Sequence, residues 1–389
     1  MRTRKMLLPA LILATLAIPA FANDSVRVYG RLLGEVVSVE QKYAVATSIV
    51  SINDPASASY FANTLDWALS NRSALRTMSE RETYERLTRI LLKSLGEWRY
   101  TNAADSVMRA VEDSPDALTK AEALIALGNM RAVEYAERIS LMLRDLNNEP
   151  SADREYGEKI AYGCVLSLEK MRSPVGFAPL FFASEGWYSK RVRDQALRSL
   201  PLILDDPSEA VSDLMKVETP PRMIRALDLE LRSAAPAGAK TSVAKLALSM
   251  GIKASPRNRT EQNQLSELRI KAMNALAAAG AGDGAAASDI AEAYKIAPQD
   301  ERLVALKALG ADKSSATAAV LRDIIVGLNA DQLAGIVDET KNALMRAALQ
   351  NATVSANKDL MPAIEMVRMN NGWSSGILSL ASAAQKALQ

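Results

Sequence analysis

The stretch Thr119–Leu146, TKAEALIALGNMRAVEYAERISLMLRDL, decides how the rest of the chain is read. Ala123, Leu124 and Leu127 fall at helical spacing and so share one face of a helix. Gly128-Asn129 follows, and a glycine just past the last periodic residue is the usual left-handed stop of a helix. Val133, Ala136, Ile139 and Leu143 then resume the same spacing. The stretch predicts two helices joined by a short turn, each with one apolar stripe. A lone hairpin cannot bury both stripes, so it needs similar neighbours.

Such neighbours are present. IALG at Ile125–Gly128 has siblings in KSLG at Lys93–Gly96 and KALG at Lys307–Gly310. Anchoring each unit at the apolar residue before the turn gives Ile52, Leu95, Leu127, Leu168, Leu200, Leu231, Leu276, Leu309 and Leu349. Four positions before these anchors, from Leu95 on, stand Leu91, Ala123, Cys164, Ala196, Leu227, Ala272, Ala305 and Met345, nearly all apolar or small. Steps of 31 to 45 residues between hairpins of this kind are the mark of a helical repeat array. The leucine is expected to plug the seam and the glycine to turn the chain. Asp54-Pro55, Ser114-Pro115 and Asp206-Pro207-Ser208-Glu209 read as helix starts, and no sustained strand alternation occurs.

VRDQALRSL (Val192–Leu200) and LRIKAMNAL (Leu268–Leu276) resemble the first helices of HEAT repeats, where an arginine, a small residue and a final leucine recur at this spacing. KAEALIALGNMRAVEYAERI is similar as a whole unit. The resemblance covers about eight irregular hairpins, from residue 36 to 370. It implies an all-α, right-handed solenoid of the armadillo/HEAT type, and binding or scaffolding rather than catalysis. SMGIKASPRNRTEQNQ (249–264) is a possible sub-boundary, and residues 371–389 should form a capping helix.

The chain opens MRTRKMLLPALILATLAIPAFAND: a basic start, a short apolar run, and small residues at Ala20 and Ala22. This is the layout of a secretory signal peptide over 1–22, followed by a lead-in at 23–35. An exported, periplasmic or secreted protein is expected. The signal carries three of the 47 basic residues and none of the 45 acids, so the mature chain holds 44 against 45. Such a balance gives no bulk attraction to nucleic acid, and no later stretch is apolar enough to span a membrane.

Chemistry finds little purchase. The chain has no histidine and one cysteine, which removes His-based triads, imidazole metal sites and internal disulfides. No catalytic residue, metal or cofactor is called for. Cys164 falls at a small core position, GAGDG (Gly280–Gly284) lacks the strand and Lys-Ser/Thr of a phosphate loop, and SLEK and SANK lack their companion motifs. What stands out is aromatic. Of 18 aromatics after the signal, 16 precede Ser189, and Phe177, Phe181, Phe182, Trp187 and Tyr188 crowd into one short stretch. Trp187 and Tyr188 with Lys190, Arg191 and Arg193, and the second turn Trp98, Arg99 and Tyr100, are therefore candidate protein-binding residues, since Trp, Tyr and Arg dominate interface hot spots. The alternatives are a small-ligand carrier, a carboxylate-based enzyme with a concave-face site, or a structural spacer of the envelope.

Overall fold

In a computed structural model, which describes residues 24–280 and 282–389, the regular elements are all helices. The signal-peptide reading of 1–22 lies outside the described residues. The chain divides into two compact units, one running to Leu204 and the other from Asp205.

The first unit holds α1 (24–35), α2 (Val39–Ile52), α3 (Ala58–Asn71), α4 (Met78–Glu97), α5 (Ala104–Asp113), α6 (Ala117–Met130), α7 (Ala136–Asn148), α8 (Arg154–Met171), α9 (Phe177–Glu185) and α10 (Lys190–Ile203). The even-numbered helices stack in one row, α2 on α4, α4 on α6, α6 on α8 and α8 on α10. The odd-numbered helices form the other layer, with α3 on α5 and α7 on α9. The second unit repeats the scheme. It contains α11 (Ser208–Val217), α12 (Pro220–Arg232), α13 (Ala237–Lys253), α14 (Arg259–Ala279), α15 (Ala287–Ile296), α16 (Gln299–Asp312), α17 (Ser315–Leu333), α18 (Glu339–Ser355), α19 (Met361–Met369) and α20 (Ser375–Leu388). Here α12, α14, α16, α18 and α20 form one row and α11, α13, α15, α17 and α19 the other. Each unit is thus an all-α stack of helical hairpins, the repeat architecture that the sequence predicts.

The seams are apolar, and the anchor leucines sit in them. Leu95, Leu127, Leu168, Leu200, Leu276, Leu309 and Leu349 are buried, as are the residues four positions earlier. Two anchors are displaced. Ile49 rather than Ile52 fills the seam of α2, and in α12 the buried pair is Leu227 and Glu230 rather than Leu231. Polar ties cross the seams where side chains reach. Arg269 of α14 forks onto the fully buried Glu301 of α16 (Nε–Oε1 2.5 Å, Nη2–Oε2 3.0 Å) and donates to the Gly251 carbonyl of α13 at 2.8 Å. That pairing and its extra hydrogen bond satisfy charges whose burial would otherwise be costly.

The role expected of the glycines is corrected by the structure. Gly128 does not end α6, which continues to Met130; the residue in the left-handed conformation is Arg131. A Cβ on Gly128 would lie 2.6 Å from the Ser167 Cα of α8. One on Gly96 would meet Ala126 Cα at 2.7 Å, and one on Gly310 would meet Asn351 Cβ and carbonyl oxygen at 2.7 Å. All three glycines sit where the helices of one row come into backbone contact. The glycine of the LG motif lets successive repeats approach.

Helix starts also shift. Asp116, not Ser114, caps α6, accepting from Thr119 N at 2.8 Å. Pro207 is the residue before α11 and not its first, because Asp206 bonds Ser208 N and the helix begins one residue later. Asp54 caps its turn as expected, and Gly280 closes α14 in the left-handed conformation. The 249–264 stretch is no boundary between the two units. Only 254–258 is non-helical there, and α13 and α14 pack closely together. The lead-in is largely helical, with Val26 and Leu33 buried, and the Leu33 carbonyl accepts from Lys42 Nζ at 2.7 Å. Helix α20 packs on α18 and α19 as one more member of the even-numbered row.

Candidate functional site

The turns between the two layers of the first unit are built alike. After Leu95, Leu127 and Leu168 the helix ends within two or three residues, and the fourth residue adopts a left-handed conformation: Arg99 (φ 51), Arg131 (φ 57) and Arg172 (φ 51). Arg99 N donates to Gly96 O at 3.0 Å and Tyr100 N to Leu95 O at 3.0 Å. Arg131 N and Ala132 N repeat this onto Gly128 O and Leu127 O, and Arg172 N bonds Leu168 O at 3.1 Å. A single 3-10 turn then leads into the next helix in each case. This left-handed position is one that glycine fills most easily, because a Cβ there crowds the backbone. Three successive repeats place arginine in it.

These three side chains are exposed and together border one cleft of about 370 Å³. None makes a hydrogen bond, ion pair or ring contact with another described side chain. The carboxylates beside them are engaged elsewhere. Glu97 faces Lys93 at 3.9 Å, and Glu169 accepts from Gln195 at 2.7 Å and Ser199 at 2.6 Å of α10. Lys170 bonds the Asn129 side chain across the α6–α8 seam. Leu202, 48% exposed, supplies an apolar lip. The result is a polar cleft whose guanidinium groups, one per repeat, are unpaired among the described residues.

The aromatic cluster is placed differently from the sequence expectation. Tyr188 is 2% exposed and cannot meet a partner from a folded turn; its hydroxyl donates to Asn147 at 2.9 Å. Burial pushes its phenol well above the usual range. Trp187 is half-buried against Tyr188 (ring centroids 4.4 Å apart), with Nε1 donating to the Leu146 carbonyl at 2.8 Å. Both rings fill the seam where α7 ends beside α8. Lys190 is exposed but tied to Asp194 at 2.5 Å, Arg191 lies over the Tyr162 ring at 4.6 Å, and Arg193 is exposed. In the other turn, Trp98 is half-buried against Phe61 and donates to Asn53, and Tyr100 is half-buried. Only Arg99 of that trio belongs to the cleft. Arg131 and Arg172 were missed by sequence reasoning. Both were detectable as cations four residues after an anchor leucine, but at Arg131 the glycine after Leu127 drew the turn toward itself.

The thiol and the serine–lysine motif are disarmed locally. Cys164 is fully buried, and desolvation pushes its thiol up to about 12. Ser167 is buried under Gly128 while Lys170 points to Asn129, so SLEK does not form a serine–lysine pair. No cluster of three metal-binding acids or cysteines occurs among the described residues, and no described helix is long and apolar enough to cross a membrane.

No protein-family profile matches the chain, and no curated protein sequence does. Among solved structures it is similar to importin beta in an ammonium sulfate condition, at 13% identity and TM-score 0.39 over 96% of this chain and 53% of that one. Importin beta in a polyethylene glycol condition matches at 11% and 0.33, over 92% and 54%, and SYS-1 at 12% and 0.27, over 92% and 70%. The chain spans about half the length of the importin beta chains it matches. The repeat architecture stated above rests on this chain's own stacked hairpins.

Proposed function

We propose that the chain is an exported, non-catalytic protein-binding or scaffolding module, working in the periplasm or outside the cell, and that the turn edge of its first unit is a contact surface. The carrying observation is the row of Arg99, Arg131 and Arg172, unpaired among the described residues and gathered on one cleft. Guanidinium groups bonded to none of the neighbouring carboxylates are poised for a partner's anions, and arginine is among the residues that concentrate binding energy at interfaces. Export is supported by the signal-like start of the chain, with Asn23 as the first mature residue.

A photo-crosslinking residue in place of Leu202 tests the surface in the native host. A discrete adduct that disappears when Arg99, Arg131 and Arg172 are all changed to glutamate is the expected result. An adduct pattern indifferent to those charges would retire the surface. N-terminal sequencing tests export separately: an intact Met1 on the mature protein would overturn it.

A further inference from the structure

We infer that the arginine row takes an acidic segment of another protein in the polyproline II conformation, with a carboxylate at every third residue. This rests on the protein-binding reading above and specifies the partner's chemistry.

Three observations carry it. First, arginine occupies a left-handed backbone position in three consecutive hairpins, where glycine would be the relaxed choice. Strain that recurs at a surface position, in side chains unpaired among the described residues, points to use of those side chains and not to folding. Second, the arginines project from corresponding points of α4, α6 and α8, which stack directly on one another. Packed helices lie about 8–10 Å apart, so the backbone positions that carry the arginines repeat at about that interval. A polyproline II helix has three residues per turn and rises about 3.1 Å per residue, so every third side chain returns to one face after about 9 Å. A β-strand would turn every third side chain to the opposite face, since its period is two.

Third, the cleft carries its own filter. Glu97 and Glu169 line the same cleft as the arginines. They repel a continuous anionic surface or a run of adjacent acids, and they tolerate carboxylates spaced by uncharged residues. Leu202 at the lip gives the uncharged residues an apolar contact. Polyproline II is also partly preformed in the unbound partner, which lowers the entropy cost of docking.

The test uses two labelled peptides of about twelve residues and equal composition, one of Glu-Pro-Pro repeats at the polyproline II period and one with its glutamates contiguous. Fluorescence anisotropy with the full mature chain should show the spaced peptide binding at least about tenfold tighter, weakening as salt rises. Arg131→Gly should weaken it by about tenfold, as loss of one charge-assisted pair does, while the melting temperature holds or rises because glycine relaxes the turn. Equal binding of the two peptides overturns the register. Wild-type affinity in Arg131→Gly overturns the site. Binding to neither peptide, with binding to phosphatidylglycerol-containing vesicles, assigns the edge to a lipid surface and overturns the proposal. A Leu202 crosslink to a host protein that persists beside a failed spacing test retires the polyproline register alone. Failure of both retires the protein-binding surface as well.

Discussion

Substituting Gly128 by alanine separates the packing role of the LG glycine from a turning role. The built Cβ of residue 128 would stand 2.6 Å from Ser167 Cα and 3.2 Å from its carbonyl oxygen. Carbon atoms in contact prefer about 3.5–4.0 Å, so α6 and α8 would have to separate by roughly 1 Å at that point. The obstacle is backbone, which cannot rotate away as a side chain tip can. Overpacking of this kind costs about 1–3 kcal/mol, and the upper end applies because two helices must move. Alanine recovers about 1 kcal/mol of helix propensity over glycine. The net expectation is a loss of about 2 kcal/mol, read from urea denaturation with the slope compared between variants. Gly327, inside α17 with nothing within 4 Å of its built Cβ, is the internal control. Gly327→Ala should stabilise by up to about 1 kcal/mol. Hydrogen exchange should place the Gly128→Ala damage in α6 and α8, since repeats feel mainly their neighbours. A Gly128→Ala protein as stable as wild type would refute the close-approach reasoning.

Trp187→Ala should lose stability before it loses any binding. It removes the Nε1 bond to the Leu146 carbonyl and the contact with Tyr188, together about 3 kcal/mol for a half-buried ring; unchanged melting would return this ring to the partner-binding set. Glu230 gives a pH-dependent outcome. Its carboxyl is fully enclosed, with Oε1 accepting from Ser208 at 2.7 Å and Oε2 without a partner, and burial raises its pKa, against the Ser208 bond. A raised folded pKa means that its contribution is fully present below the unfolded value of about 4.3 and is lost as pH rises through the folded one. Glu230→Gln keeps an acceptor for Ser208 and should be more stable than wild type at pH 7, with the difference closing toward pH 4; urea titrations at both values check it, and a pH-independent difference would contradict it.

The repeat was legible because burial imposes period. Leu95, Leu127 and Leu168 each precede the turn by the same number of residues, and each is fully buried, so apolar spacing alone located the seams. The mechanism at the turn was not legible, because glycine serves both left-handed turns and close helix contacts, and sequence spacing does not distinguish the two within one helical turn. For the same reason the aromatic cluster misled. Trp187 and Tyr188 follow the last residue of α9, which reads as an exposed connection, yet the ends of α7 and α8 close around them. Where a connection is covered by the neighbouring repeat, its exposure depends on contacts some 40 residues away in the chain, as Leu146 and Asn147 are. The start of α11 slipped by one residue for a smaller reason: Asp206 reaches Ser208 directly and leaves Pro207 outside the helix.

The same comparison of positions argues for where function concentrates. In the second unit the left-handed residues are Gly280, Gly282, Gly284, Lys313, Gly335 and Ala356, a mixed set in which glycine, the residue of least strain, predominates. In the first unit they are Asn53 and then three arginines in succession. Asn53 tolerates this backbone well and is bonded to Trp98 of the next hairpin, so its choice is accounted for within the fold. No such account exists for Arg99, Arg131 and Arg172, whose side chains bond no other described residue. If folding alone shaped these turns, glycine or asparagine would satisfy them at lower cost, and arginine would appear no more often than in the second unit. A cation kept at a strained position, three repeats running and beside carboxylates already engaged, is what a surface awaiting anions at fixed spacing requires.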